Sequence, residues 1–202
     1  MTSSTNQDLE ERLCLACGFC CDGTLFTRVR LQSEDSVESL RSAELRVQQD
    51  DQGDWIMQQP CSGYRQNACQ TYHCRPARCG LFRCTLLRYV EAGEVSEAEA
   101  LSVIRDTKQT RNQLLTQLEK VFPGFQKKAM AEVLRRLRKE SRKLAGERLK
   151  HFRAARSTIN QLKTKLSSQL DAFFYVQNTP FQDPIQNDGS NIPKSMNKQS
   201  DA

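Results

Sequence analysis

The 202-residue chain has few histidines, few aromatic residues and no long apolar run. With only His73 and His151 present, no Ser–His–Asp catalytic set is apparent. Hydrophobic residues make up 38% of the chain and aromatic residues 7%, against 27% charged residues, which is too little apolar material for one large core across the whole chain. No stretch is long enough for a membrane-spanning helix, and no glycine-rich phosphate-binding loop occurs. These absences argue against a membrane-spanning protein and against the common hydrolase and nucleotide-binding enzymes.

The opening segment MTSSTNQDLEERL also lacks the pattern of a secretory signal. It is polar and acidic, whereas a signal peptide has a positively charged start followed by an apolar segment. We therefore expect a cytoplasmic protein. In a reducing compartment, closely spaced cysteines serve metal binding more often than disulfide bonding.

Cysteine is the residue that the chain has in excess, and every cysteine lies within the first 84 residues. The nine are Cys14, Cys17, Cys20, Cys21, Cys61, Cys69, Cys74, Cys79 and Cys84.

The first four cysteines form the pattern C-x2-C-x2-C-C within CLACGFCC, residues 14–21. A single C-x2-C is the usual half of a tetrahedral zinc site, because a tight turn directs both thiolates toward one ion. Overlapping x2 spacings are closer to the run that holds an iron–sulfur cluster in bacterial ferredoxins. That run continues with x3-C-P, whereas Cys21 here follows Cys20 directly. Both an iron–sulfur cluster, with 4Fe-4S favoured, and zinc stay open at this point.

The later cysteines contain no x2 interval and so no independent zinc knuckle. The economical interpretation is that Cys61, Cys69 and Cys79 complete the coordination begun by the first group. One or two metal centres would then join the ends of a loop of roughly forty residues and replace the missing apolar core.

Several residues near the later cysteines are candidates for a supporting role. His73 could replace a thiolate as a ligand, although with nine cysteines we expect it to be a hydrogen-bond donor or a surface residue. Arg75 either donates to a thiolate or cluster sulfide or is simply solvated. Tyr72, Phe82 and Trp55 are expected in the core, where they would also exclude water from a centre.

The first half of the chain predicts short strands and a short helix. Residues 24–31 (TLFTRVRL) partly alternate apolar and polar types, which is typical of a half-buried strand, and residues 53–60 (GDWIMQQP) read as a second strand that leads into Cys61. SEDSVESL predicts a short helix capped by Ser33 or Asp35. Residues 61–84 are too rich in Cys, Gly and Pro for long regular elements.

The second half predicts helices. Ser96 and Glu99 fit a capping box, and Pro123 with Gly124 would end the helix that follows. Lys108 and Arg111 interrupt the apolar stripe of this helix. A second helical pattern starts at Met130, breaks near Gly146 and continues in three- and four-residue steps, which favours an antiparallel helical hairpin or a short coiled coil.

These patterns predict an α+β fold: a small, irregular, metal-stapled domain with short strands, followed by a helical hairpin or coiled-coil-like extension. The predicted organisation is a polar lead-in over 1–13, a cysteine-cluster domain over 14–95 and a basic helical region over 96–177. Residues 178–202 are polar, contain three prolines and predict a disordered tail.

Positive charge is concentrated in the helical half. Residues 96–177 carry 18 basic and 8 acidic side chains, whereas residues 1–95 carry 10 and 13. We expect residues 96–177 to provide a docking or self-association surface for protein. Nucleic acid is a possible partner but is not favoured, because aromatic residues for base stacking are nearly absent between residues 127 and 165. A solvated helical face is the commoner explanation for such a run of basic residues.

The opening C-x2-C-x2-C-C together with C69-QTY-HC-R75-P76-AR-C79 resembles the YkgJ-type cysteine-cluster family, described as zinc- or iron-chelating domains. The resemblance covers about residues 14–84. It implies a set of metal-binding cysteines, namely Cys14, Cys17, Cys20, Cys21, Cys61, Cys69 and Cys79. Cys74 and Cys84 sit outside the family pattern and are less certain ligands.

Two functional hypotheses follow from the sequence. The first is a metal-binding protein for electron transfer, metal handling or presentation of a partner site. The alternative is an enzyme, or a subunit of one, that uses its metal centre, for example in protein lysine modification. Flagellin lysine N-methylases carry a similar cluster associated with iron and sulfur, but this chain is much shorter, so their activity is not transferred to it.

Overall fold

A small antiparallel sheet and a long helical hairpin dominate the computed structural model, which describes residues 3–175. The helices are α1 (Ser3–Cys17), α2 (Val37–Ser42), α3 (Ala77–Leu81), α4 (Thr85–Glu91), α5 (Glu97–Glu119), α6 (Met130–Glu140) and α7 (Gly146–Phe173). The strands are β1 (Arg28–Arg30), β2 (Val47–Gln49), β3 (Trp55–Gln58), β4 (Tyr64–Arg65) and β5 (Ala68–Cys69). The predicted α+β class is confirmed. The predicted disordered tail lies outside the described residues.

The three-stranded sheet has the order β1-β3-β2, with both pairings antiparallel. Met57 on the central strand lies opposite Val29 on one side and Val47 on the other. The strands predicted within 24–31 and 53–60 are confirmed, although β1 is only three residues long. Strand β2 was not predicted, since VQQ has a single apolar residue; its pairing with β3 across the tight turn at Gly53 creates it.

The short helix predicted after residue 33 is α2, but its cap differs from the expectation. Ser36, and not Ser33 or Asp35, caps the helix by accepting a hydrogen bond from the Ser39 backbone N–H. The Asp35 carboxylate instead accepts from the Gln32 N–H and from the Ala77 N–H, both at 2.8 Å. Asp35 therefore fixes the start of α3, two residues before Cys79.

The predicted capping box is present at the start of α5, where Ser96 and Glu99 satisfy each other's backbone N–H groups. Helices α5 and α7 run antiparallel. Near the start of α7, Arg148 donates to the Val121 carbonyl oxygen just beyond the end of α5 at 2.6 Å. After the end of α7, the Tyr175 carbonyl oxygen accepts from Thr85 of α4, the helix that precedes α5. The predicted hairpin is confirmed, with α6 between its two arms.

The two basic residues that interrupt the apolar stripe of α5 connect this helix to the first cysteine segment. Lys108 Nζ donates to the Ala16 carbonyl oxygen, and Arg111 Nε donates to Thr24 Oγ1 at 2.6 Å. The Arg111 guanidinium also lies 3.3 Å from the Asp22 carboxylate, with both side chains largely buried. The helical half thus packs onto the cysteine-rich half, while the domain boundary at residue 95 stays a prediction.

Two apolar cores hold the described residues together. The first combines Leu13, Phe19 and Leu25 of the cysteine-rich half with buried residues of α4, α5, α6 and α7. The second lies between the sheet and α2 and includes Leu40 and Met57. Among the described residues, no helix is long and apolar enough to cross a membrane.

Candidate metal centre

Eight of the nine cysteines line a single cavity that borders both cores. The cavity has a volume of about 130 Å³. Its cysteines are Cys14, Cys17, Cys20, Cys21, Cys61, Cys69, Cys79 and Cys84. The ninth, Cys74, is exposed and is not part of the cavity wall. The two cysteine groups, separated by forty residues of sequence, therefore meet at one place.

Helix α1 and the turn after it position the first group. Cys14 and Cys17 lie on the last turn of α1, three residues apart and hence on one face of the helix. Gly18 has a φ of +70°, and its N–H donates to the Cys14 carbonyl oxygen at 3.0 Å. A Cβ atom at this position would lie 2.4 Å from the hydroxyl oxygen of Tyr64. Only glycine fits the turn that directs Cys20 and Cys21 back toward α1.

Backbone pairing brings the second group to the first. The Cys61 N–H donates to the Cys21 carbonyl oxygen at 2.8 Å. This hydrogen bond holds the segment that follows β3 against the turn that contains Cys21. The Cys61 sulfur accepts from the Gly63 N–H at 3.4 Å. Cys69 lies in β5, directly opposite Tyr64 of β4.

Two short helices present the last two cysteines of the cavity. Cys79 lies within α3, whose start is held by the Asp35 carboxylate. Cys84 is the N-cap of α4, and its sulfur accepts from the Leu87 N–H at 3.4 Å. A cap residue has a fixed direction relative to its helix, so the start of α4 orients the Cys84 thiol.

Burial controls the protonation of most of these thiols. Desolvation raises the pKa of Cys14 and of Cys79 to about 12, and it raises the pKa of Cys17 and Cys20 well above the ordinary thiol value. Repulsion between neighbouring cysteines acts in the same direction. A bound metal cation would reverse this effect, because it stabilises the thiolate.

Cys69 behaves differently, because it shares a hydrogen bond with Cys21. Cys21 holds the proton, so this bond raises the pKa of Cys21 and lowers the pKa of Cys69 to about 6. Thr71, with Oγ1 3.7 Å from the Cys69 sulfur, adds to the lowering. This hydrogen bond favours the thiolate form of Cys69 over that of Cys21, and the thiolate is the form of cysteine that binds a cation.

A buried ion-pair network closes one side of the cavity. Arg75, whose side chain forms part of the wall, donates to Glu10 Oε1 at 2.8 Å, and Arg83 lies 2.7 Å from Glu10 Oε2. The Arg75 guanidinium also stacks over the Tyr72 ring at 3.8 Å. Of the two predicted alternatives for Arg75, the solvated position is wrong, because the side chain is partly buried at the cavity; its donation to a thiolate stays a prediction.

Three further arginines, Arg28, Arg30 and Arg78, contribute to the wall of the cavity. The guanidinium groups of Arg28 and Arg30 each lie 3.3 Å from a carboxylate, that of Asp50 and that of Asp54 respectively. Their charges are therefore largely balanced within the protein.

The other residues near the later cysteines divide into two groups. Tyr72 and Phe82 line the cavity, and Phe82 packs edge-on against Phe26 at 5.0 Å. Trp55 packs against the second core, with Arg41 above its ring. The His73 side chain is 82% exposed and lies 3.4 Å from the Glu11 carboxylate, away from the cavity wall.

The donor set suits a soft metal. Within residues 3–175, no three His, Cys, Asp or Glu side chains already converge on one point as ligands of a single ion. The eight thiols around the cavity nevertheless have the chemistry that zinc and iron–sulfur clusters require, since both are bound by cysteine thiolates. The assignment of individual cysteines as ligands stays a prediction.

Some residues at the cavity were not predicted from the sequence. Glu10 and Arg83 were missed, and so was the contact between Gly18 and Tyr64. Only Glu10 carried a usable signal, since it lies four residues before Cys14 and therefore on the same face of α1. Arg83 and Tyr64 reach the site through tertiary contacts over more than forty residues of sequence.

A small α+β fold with eight clustered thiols defines a cysteine-cluster domain of the metal-binding class. The family model CxxCxxCC, described as "Putative zinc- or iron-chelating domain", matches residues 13–114. The chain belongs to this family, and we describe it accordingly as a zinc- or iron-chelating cysteine-cluster protein. The match continues beyond the last cysteine to Leu114 and so includes Lys108 and Arg111 of α5. Comparisons with curated proteins and with solved structures gave no match.

Proposed function

We propose that the cavity binds an iron–sulfur cluster, most simply of the 4Fe-4S type. The observation that carries this proposal is a cavity of about 130 Å³ whose wall contains eight thiols. That volume is about ten times the space that one buried water molecule needs. A lone zinc ion draws its ligands to about 2.3 Å and would fill little of it. A cluster places its own iron and sulfide atoms between the thiolates and therefore suits a wider arrangement.

The surroundings of the thiols support the same proposal. Buried side chains such as Phe19 and Ile104 form part of the wall and keep water away from the sulfur atoms. The Arg75 guanidinium supplies positive charge beside them. Burial, charge and hydrogen bonds to sulfur are the properties by which a protein sets the potential of an iron–sulfur cluster. The role would be electron transfer, metal handling or structural support of a partner site.

Zinc is the second candidate for the bound metal, and the cysteine spacing at the end of α1 favours it. Cys14 and Cys17 form a C-x2-C pair followed by a tight glycine turn, which is the usual half of a structural zinc site. In this case the metal would act structurally, by joining the two cores.

The two candidates differ in colour and composition. We expect the chain purified without oxygen to be brown, with a broad visible absorption and acid-labile sulfide roughly equal to its iron. A colourless chain with stoichiometric zinc and no sulfide would reject the cluster and support zinc. A chain that contains neither metal would reject the proposed function as a whole.

Three parts of the sequence-based account also stand as proposals. Residues 96–177 would dock a protein partner or a second copy, and the protein would be cytoplasmic. The enzyme alternative would need one coordination position left open for a substrate.

The nucleic-acid role, which is less favoured than protein docking, is tested by measuring binding of the purified chain to nucleic acid across salt concentrations. No binding at low salt would reject the nucleic-acid role.

A further inference from the structure

The eight cavity cysteines divide between the two apolar cores. Four of them, Cys14, Cys17, Cys20 and Cys84, pack against the first core, formed largely by the helices. Cys61 is a member of the second core, beneath the sheet, and Cys21 and Cys79 pack against it. Cys69 joins this second set through its position opposite Tyr64, whose side chain packs against the second core. Each set contains four thiols, which is the number that a closed zinc site or a cubane cluster requires.

Contacts between elements hold the first set together. Cys14 and Cys17 share one face of the last turn of α1, and α1 packs against α4, whose N-cap is Cys84. The turn at Gly18 then brings Cys20 to the same core. Cys84 therefore belongs with the C-x2-C-x2-C run, although it is sixty-four residues away from Cys20 in the sequence.

Backbone contacts connect the second set. The Cys61 N–H donates to the Cys21 carbonyl oxygen, and the Tyr64 N–H donates to the Cys61 carbonyl oxygen at 3.1 Å. Tyr64 in turn lies opposite Cys69 in the β4–β5 pair. Cys79 lies in α3, which packs against β1 of the sheet.

The division falls between two consecutive residues. Cys20 packs against the first core, whereas Cys21 packs against the second. The sets are neighbours, since all eight thiols line the same cavity. The doubled cysteine of the C-x2-C-x2-C-C pattern thus lies where the two sets meet.

We propose that the cavity holds two metal centres, one bound by Cys14, Cys17, Cys20 and Cys84 and the other by Cys21, Cys61, Cys69 and Cys79. This assignment rests on the proposed metal-binding function, but it does not depend on whether the metal is iron or zinc. The two-centre assignment makes Cys84 a ligand and excludes Cys74 from both centres.

The number of centres is measured by titrating the metal-stripped, reduced full-length chain with cobalt(II) in the absence of oxygen. Cobalt occupies zinc-type thiolate sites and produces an intense thiolate-to-metal absorption. The wild-type chain and the C74S control are expected to saturate at two cobalt ions per chain. The C84S and C79S variants are each expected to saturate at one, because each loses one ligand of a different set.

The outcomes separate this inference from the proposed function. Saturation of the wild-type chain at one cobalt ion would overturn the two-centre assignment while leaving metal binding intact. Loss of all cobalt binding in both C84S and C79S, with the far-ultraviolet circular dichroism of the chain preserved, would also overturn the two-centre assignment. The number of cobalt ions bound by the wild-type chain tests the assignment even where a variant fails to fold. No cobalt absorption by the wild-type chain would reject the proposed function itself.

Discussion

The strictest steric requirement at the site falls on Gly18, between Cys17 and Cys20. Its φ of +70° is unfavourable for any residue with a Cβ atom, and the added atom would overlap the Tyr64 ring. We expect G18A to destabilise the chain by about 1–3 kcal/mol more than G53A and to lower its metal content. Gly53 is the matched control, because it has a φ of +84° but no neighbour within 4 Å of the added atom. Urea unfolding measures both variants, and equal losses of stability would show that the Tyr64 contact is unimportant.

Arg75 is the second residue with a specific expectation. Its guanidinium bonds to the buried Glu10 carboxylate, and its own side chain is only 18% exposed. The R75L substitution should cost about 2 kcal/mol of unfolding free energy, since a hydrogen bond to a buried charge is lost. The control R65L breaks an exposed ion pair with Glu44 and should cost less than about 1 kcal/mol. If the two variants lose the same stability, the network around Glu10 has no special role.

For individual residues, the sequence predicted the type of chemistry better than it predicted the positions of the side chains. The spacing of Cys14, Cys17 and Cys20 sufficed to predict that these thiols lie together, because short-range spacing limits how thiols can be directed; their role as ligands stays a prediction. The membership of Cys84 in the cavity could not be predicted, since it depends on where α4 starts relative to α1. The supporting role of Arg83 depends in the same way on tertiary contacts.

Among the elements, α5 has the clearest connection with the site. Arg111 joins this helix to Asp22, and the two side chains are only 14% and 10% exposed. We expect R111L to cost about 3 kcal/mol, because Asp22 would stay buried without its cation. The exposed Arg105 on the same helix is the control, and R105L should change stability by no more than about 0.5 kcal/mol. Thermal unfolding of both variants, with their metal content, measures the difference.

The R111L prediction also has a clear negative outcome. Unchanged stability and unchanged metal content would mean that α5 supports the cysteine segment through apolar packing alone. Loss of metal with little loss of stability would instead place the effect at the turn that contains Asp22.

Local signals predicted the elements well where they were strong. The capping box at Ser96 and the long helical periodicity gave α5 and α7, since both signals are local properties of the chain. The interruptions at Lys108 and Arg111 were recognised, but their cause was not, because their partners lie in the first cysteine segment. Strand β2 was missed, since it is defined by its partner β3 more than by its own three residues.

For the whole molecule, the cavity lies where the two cores meet, so metal bound there would hold together cysteines from elements that are distant in the sequence. Removal of metal should therefore lower the midpoint of thermal unfolding. A ligand at a thousand times its dissociation constant stabilises a folded chain by about 4 kcal/mol, which corresponds to a loss of several degrees on removal. Scanning calorimetry before and after chelation checks this, and an unchanged midpoint would show that the fold does not depend on metal.

The central claim is that the buried cavity thiols, and not the exposed cysteine, hold the metal. The most direct test is the metal content per chain of C17S and C74S, both purified without oxygen beside the wild-type chain. We predict that C74S keeps the full wild-type content, whereas C17S loses at least half of it, because Cys17 is a buried member of the cavity and Cys74 is exposed. Full metal retention in C17S, or loss of metal in C74S, would contradict the account.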